Sequence, residues 1–128
     1  MENPNTPPYV GLAPMLPVTH VPRTIRFYEQ LGMTTGHTHT PPGESDPVWA
    51  WLHNGHAHLM VSRADRAVEA SHDSASLWLY TKDVHTAHAV LKSRGLEVDD
   101  VSYPPYNAGG EFHVHDPDGY AVFIAHAD

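Results

Sequence analysis

The pattern of apolar and polar residues in this chain occurs twice, at positions 63 residues apart. Residues 21–33 align with 84–96 without a gap, and the apolar runs that precede them, 15–18 and 78–81, align as well. Over residues 21–31 and 84–94 the apolar residues recur at helical spacing, and a glycine, Gly32 or Gly95, ends each helical pattern. A repeat at fixed spacing indicates that one supersecondary unit is used twice around a shared core.

The first unit predicts five elements in a fixed order. A strand over 10–18 contains prolines that suit an edge or an end, and a helix over 21–31 ends at Gly32. A hairpin then pairs residues 48–52 with 56–61, because the Asn-Gly pair between them is a strong turn signal. A weakly marked strand is expected between the helix and this hairpin.

The second unit predicts the same order. A strand over 76–81 is followed by a helix over 84–94 that Asp83 caps. A short strand is expected over 96–101. Residues 111–115 and 120–125 then form a hairpin around an Asp-Pro-Asp-Gly turn. Each half therefore predicts strand, helix and three further strands, which is an α+β fold.

Length and charge narrow the class of protein. A chain of 128 residues suits one domain, expected here to span 9–128 as two units of about 9–63 and 76–127 after a flexible tail at 1–8. The formal charge of −8 and the scattered basic residues argue against nucleic acid as a partner. There is no cysteine, no signal-like N-terminus and no apolar run of membrane-spanning length, so we expect a cytoplasmic protein without a membrane partner.

The twelve histidines are the unusual feature of the composition. Two residues that are two apart in a strand share a face, so a His-x-His pair can present two imidazoles to one metal or ligand. The alternative is that most of these rings are solvated or hydrogen-bonded. Three pairs have this spacing: His37/His39, His56/His58 and His113/His115.

Two longer segments resemble a known family. PVTHVPRTIRFYEQLGM near the start and GEFHVHDPDGYAVFI near the end are similar to the vicinal oxygen chelate superfamily, which includes glyoxalases, bleomycin resistance proteins and extradiol dioxygenases. The resemblance implies two βαβββ modules that form a cupped mixed sheet, with a ligand or a metal in the cup. It also implies a homodimer, since many members are dimeric.

The same resemblance identifies four positions at which the enzymes of this family hold a divalent metal. They correspond here to Ala13, Met60, Ser76 and Phe123. Alanine and phenylalanine have no donor atom, and methionine and a lone serine are poor ligands for hard divalent ions. The sequence therefore predicts no metal and no cofactor, and a protein closest in character to the metal-free bleomycin-resistance branch.

Strand alternation assigns a mainly aromatic lining to the cup. Such a surface suits a planar or cationic small molecule, although it also suits packing in a dimer interface or a core. We therefore expect a protein that sequesters an aromatic or amphipathic, antibiotic-like ligand. The predicted ligand-binding residues are Trp49, Trp51, His58, Met60, Trp78, Tyr80, Tyr103, Tyr106, Glu111, His113 and Phe123.

An enzyme is the second hypothesis. His58, Glu111 and His113 supply two imidazoles and one carboxylate, which are adequate ligands for zinc or ferrous iron. They would then form a displaced metal site for a lyase, isomerase or dioxygenase, or an acid/base pair that needs no metal.

Overall fold

The computed structural model describes residues 4–71 and 73–128, so the tail expected at 1–8 lies partly outside it. Within the described residues no helix is long and apolar enough to cross a membrane. The elements of this part of the chain are, in order, β1 (Met15–Val18), α1 (Val21–Gln30), β2 (Thr34–His39), β3 (Trp49–Asn54), β4 (Ala57–Arg63), β5 (Leu77–Thr81), α2 (Val84–Ser93), β6 (Glu111–His115) and β7 (Ala121–His126).

The strands form two mixed sheets, and the repeat seen in the sequence relates them. The first sheet has the order β1-β4-β3-β2 and the second has the order β5-β7-β6. In each sheet the strand before the helix pairs in parallel with the last strand, and Met15 opposite Met60 corresponds to Trp78 opposite Phe123 at the 63-residue spacing. The predicted α+β fold of two repeated units is confirmed.

Both helices begin at equivalent capping residues. The Nδ1 atom of His20 accepts a hydrogen bond from the backbone N–H of Arg23 at 3.2 Å, and Pro22 follows in the first turn, where its missing N–H costs nothing. In the second unit Asp83 accepts from the N–H of Thr86 at 3.0 Å. The predicted cap at Asp83 is confirmed, and each helix has ten residues.

The core lies between the helices and one face of each sheet. Alternate strand residues are buried as the period-two pattern predicts, while the residues between them face the other way. Leu77 and Leu79 are an exception, because they are only half-buried although they lie on the core side of β5. Glu111 and Ala125 are also buried but lie on the opposite face, and the buried strand residues of the core face are Leu16, Val18, Ala50, Leu52, Leu59, Val61, Phe112, Val114, Val122 and Ile124.

Two strand predictions were wrong in extent. The first strand begins at Met15 rather than Val10: the carbonyl oxygen of Pro14 still accepts from the N–H of Met60, but the exposed residues 10–13 lie outside the register with β4. No strand forms over 96–101; only Ser102 makes a bridge, to Glu111. Asp99 within that segment instead accepts a hydrogen bond from the N–H of His113 through its carboxylate, at 2.6 Å. The Asp99 carboxylate thus accepts the hydrogen bond that a backbone carbonyl of a neighbouring strand would otherwise accept.

A buried carboxylate joins the two units. Asp116 accepts a hydrogen bond from the hydroxyl of Tyr28 on α1 at 2.9 Å, and it also accepts from the backbone N–H groups of Asp118 and Tyr120 at 2.9 and 3.0 Å. Burial raises the pKa of Asp116 above its usual range, while these hydrogen bonds act in the opposite direction. Burial likewise raises the pKa of the Tyr28 hydroxyl, which therefore stays a proton donor.

The turn after β6 makes further contacts with the first unit. Asp118 accepts from the N–H of Thr19 at 3.0 Å and from the guanidinium of Arg23 at 3.3 Å. The hydroxyl of Tyr120 donates to the carbonyl oxygen of Pro17 at 2.9 Å. Gly119 has a φ of 97°, and a Cβ atom there would lie 3.0 Å from the carbonyl oxygen of Ala70, so only glycine suits this position.

We predict that Tyr28→Phe destabilises the fold. The substitution removes the hydroxyl and leaves one oxygen of Asp116 buried without that partner, which costs about 1–3 kcal/mol. Urea unfolding followed by circular dichroism measures the change. Tyr9→Phe is the matched control, since Tyr9 is 85% exposed and should change the unfolding free energy by less than about 0.5 kcal/mol. Equal midpoints for the two variants would contradict a structural role for this hydrogen bond.

Candidate ligand-binding site

The second sheet carries a row of three stacked rings on the face opposite its core. Trp78 on β5, Phe123 on β7 and His113 on β6 are register partners across the sheet. The Trp78 and Phe123 ring centroids are 4.3 Å apart with planes 9° from parallel, and those of Phe123 and His113 are 5.3 Å apart at 27°. We call this set the ring row. Phe123 has a stacked ring on each side, so a ring face open to a ligand is found at the Trp78 end of the row, where the side chain is 38% exposed.

His113 at the end of the ring row is held by Asp99. The Nδ1 atom of His113 lies 2.8 Å from an oxygen of Asp99, whose other oxygen accepts from the backbone N–H of the same histidine. An ionised carboxylate can only accept, so Nδ1 carries a proton and the Nε2 atom of the neutral ring is an acceptor. No sequence pattern pointed to Asp99, because the residues of a loop follow no period.

Glu111 lies two residues before His113, on the same face of β6, and in the described part of the chain only one of its two carboxylate oxygens has a hydrogen-bond partner. It is 5% exposed, and its Oε2 atom accepts from the hydroxyl of Tyr106 at 3.0 Å. Its Oε1 atom is buried and has no hydrogen-bond partner among the described residues. A buried polar atom without a partner costs free energy, so this oxygen is suited to receive a donor from a ligand.

A shallow cavity of about 260 Å³ lies next to this row. Trp78, Tyr80 and Tyr106 contribute to its wall, and the Tyr106 ring meets Trp78 edge-on at 6.3 Å. Ala125 stands between Tyr80 and Glu111 in the sheet register. The rest of the cavity wall comes from Asn107 and from His126, Ala127 and Asp128 at the end of the chain.

The corresponding face of the first sheet is built around Trp51. Its Nε1–H donates to the Nδ1 atom of His58 at 3.2 Å, and the rings of His53 and His37 lie 4.6 and 5.6 Å from it between centroids. The indole covers Gly36, where a Cβ atom would come within 2.4 Å of a Trp51 ring carbon. Neither His53 nor Gly36 was predicted to take part.

The predicted ligand-binding residues thus fall into two groups, and no ring contact joins them in the part of the chain that is described. Trp49, Trp51, His58 and Met60 lie on the first sheet, on the face away from its core, and all are half-buried. Tyr103 lies apart from both groups, since its hydroxyl is 2.9 Å from the Nε2 atom of His85 on α2. The second group consists of Trp78, Tyr80, Tyr106, Glu111, His113 and Phe123.

The metal site of related enzymes does not fit these residues. Ala13 and Ser76 are exposed and precede β1 and β5, and Met60 and Phe123 offer at most a thioether. The displaced site proposed from His58, Glu111 and His113 is not formed either. Among residues 4–71 and 73–128 no three His, Asp or Glu side chains stand close enough to hold a metal ion.

Comparison with known proteins assigns the family. Residues 11–124 match the model of the Glyoxalase/Bleomycin resistance protein/Dioxygenase superfamily. The chain belongs to this superfamily. No curated protein sequence matches it.

Several solved structures share the fold of this superfamily member. A bleomycin-binding protein from Streptomyces verticillus, in complex with copper(II)-bleomycin, superposes with a TM-score of 0.72 at 22% identity over 96% of this chain and 100% of that chain. TnmS3, an antibiotic binding protein from Streptomyces sp. CB03234, gives 0.71 at 19% identity over 97% and 100%. A lactoylglutathione lyase from Agrobacterium tumefaciens gives 0.69 at 15% identity over 95% and 96%. Binding proteins and an enzyme thus share this architecture.

We predict that Gly36→Ala displaces the Trp51 indole. The new methyl group overlaps the ring, and overpacking of this kind costs about 1–3 kcal/mol. Urea unfolding measures the loss, and near-ultraviolet circular dichroism reports the altered indole environment. Gly11→Ala is the control, because nothing lies within 4 Å of a Cβ atom there. If the two variants have the same stability and spectra, the indole does not lie against Gly36.

Proposed function

We propose that this protein binds and sequesters a small molecule that combines a planar aromatic group with a cationic or N–H donor group, without an essential metal. The observation that carries the proposal is the buried, unpartnered Oε1 atom of Glu111 beside the ring row. A planar group stacked on the open end of the row at Trp78 would bring a donor toward that oxygen.

Charge supports a cationic ligand over an anionic one. The chain has a formal charge of −8, and the surface field of an acidic protein raises the local concentration of cations. A charge-assisted hydrogen bond to a buried carboxylate is also stronger than a neutral one. Antibiotics are a reasonable ligand class, since proteins that bind bleomycin and another antibiotic have this fold.

We predict that proflavine, a planar cation, quenches tryptophan emission on binding, and that bleomycin does so if the natural ligand resembles it. Glu111→Gln should weaken proflavine binding about tenfold, because it removes the buried negative charge. Phe123→Ala should weaken it to a similar degree, because it interrupts the ring row. Fluorescence titration of each variant measures both effects.

Two controls make this titration decisive. Glu97→Gln removes an exposed carboxylate outside the site and should leave the affinity unchanged. Anthracene-9-carboxylate has a planar ring with the opposite charge and should bind more weakly than proflavine. The ring row is not the binding surface if Glu97→Gln and Glu111→Gln weaken binding equally, or if neither proflavine nor bleomycin quenches the tryptophan emission.

We also propose that the protein is a homodimer in which this face is shielded by a second copy. Tyr80 is 67% exposed and Tyr106 71% beside the exposed Trp78, and Met15, the residue equivalent to Trp78 in the first sheet, is 54% exposed. Soluble monomers seldom leave so many large apolar groups open to water. Light scattering should give twice the 14.2 kDa chain mass, and Met15→Glu should lower the mass toward that of one chain.

The His113–Asp99 pair favours a second candidate, an enzyme that uses acid/base chemistry without a metal. Asp99 orients the imidazole and leaves its Nε2 atom free to take a proton from a bound molecule. Mass spectrometry of a ligand recovered after long incubation separates the two functions. A binding protein returns it unchanged, whereas an enzyme converts it and loses that conversion in His113→Ala.

A further inference from the structure

The two units contact each other twice, through equivalent parts, and only one contact is well filled. In the first contact the large side chains of Tyr28 on α1 and Tyr120 in the turn before β7 fill the space. The residues 63 positions away are Leu91 on α2 and Ala57 at the start of β4. Smaller side chains at both equivalent positions leave the second contact hollow.

A cavity of about 780 Å³ occupies this second contact. Its volume lies within the range of small-molecule sites, about 300–1,000 Å³. The end of α1, the turn between β3 and β4, strand β5 and one side of α2 surround it, and its apolar wall includes Leu31, Met33, Leu79, Val90, Leu91 and Ile124. It explains why Leu79 is only half-buried. None of these six residues belongs to the predicted ligand-binding set.

The free edge of β5 supplies backbone hydrogen-bonding groups to this cavity. The carbonyl oxygen of Thr81 accepts from Ala127 after β7, so the N–H and C=O groups of Tyr80, one residue earlier, point to the other edge. The equivalent residue in β1 is Pro17, whose outward carbonyl receives the Tyr120 hydroxyl. Ala57 replaces that tyrosine in the second contact, so the edge at Tyr80 receives no such donor.

The charge of the wall differs from that of the whole chain. Arg94 and His56 lie on it, and no aspartate or glutamate does, in a protein whose formal charge is −8. The guanidinium of Arg94 donates to the carbonyl oxygen of Gln30 through one nitrogen. No carboxylate forms a salt bridge with Arg94 within the described residues. Arg94 is exposed, so its guanidinium is open to an anion at the rim of the apolar cavity.

From this combination we infer a second binding site, for an amphipathic anion such as a medium-chain carboxylate. The apolar part of the molecule lies against Leu91 and Ile124, and its carboxylate pairs with Arg94. An arginine presents several N–H donors and binds carboxylates well. The two sites meet at Trp78 and Tyr80, which also line this cavity, and they differ in the sign of the charge that each prefers.

The test is a titration of ¹⁵N-labelled protein with octanoate, and with 1-octanol as its neutral analogue. The amide signals of Gly32 and Gly55, which line the cavity, should shift as octanoate binds. Arg94→Gln should weaken octanoate about tenfold and leave 1-octanol unchanged, since only the ion pair is lost. Arg26→Gln, on the exposed side of α1, is the matched control and should affect neither molecule.

A second variant tests the cavity itself. Ala57→Tyr places at this contact the side chain that fills the first one, and it should abolish the binding of both octanoate and 1-octanol. Phe123→Ala, which impairs the ring row, should leave both unchanged, so failure of this site and failure of the proposed function are separate results. The inference is overturned if Gly32 and Gly55 do not shift, if Arg26→Gln weakens octanoate as much as Arg94→Gln does, or if a folded Ala57→Tyr protein still binds it.

Discussion

The arrangement of the two units depends on one buried carboxylate. Asp116 receives the Tyr28 hydroxyl from the first unit and two backbone N–H groups from its own turn, so a single side chain fixes the turn and holds it against α1. Burying a carboxylate is costly, as the raised pKa of Asp116 shows, and three donors offset the cost. The orientation of the second sheet, and with it the ring row, follows from this contact.

Most strand and helix positions could be predicted from the sequence, because they follow the local spacing of apolar residues. The helices occur at the predicted repeat, and β6 has the predicted bounds. The absent strand at 96–101 could not be excluded in this way. Its acidic residues allow either a strand or a loop, and the hydrogen bond that the Asp99 carboxylate accepts from the backbone N–H of His113 decides between them. That contact joins distant positions, so no period reveals it.

The sequence predicted on which face of its sheet each candidate residue lies, but not which residues it contacts. Alternation correctly put Trp78, His113 and Phe123 on one side, and the sheet register then stacked them. Their hydrogen-bond partners depend on loop conformation, which is why Tyr106 reaches Glu111 while Tyr103, three residues away, meets a helix instead. The same reasoning explains why the cavity beside α2 was not foreseen, since a void is a property of packing.

The difference in packing between the two contacts also affects which substitutions such a protein can accept. The contact at Tyr28 holds the units together, so substitutions at the hollow one are not required to preserve that attachment. Exchanging Ala57 or Leu91 for other residues would reshape the void while the stabilising contact stays intact. A duplicated unit of this kind meets its partner at two equivalent contacts, so one contact can keep the protein folded while the other is free to acquire new ligands.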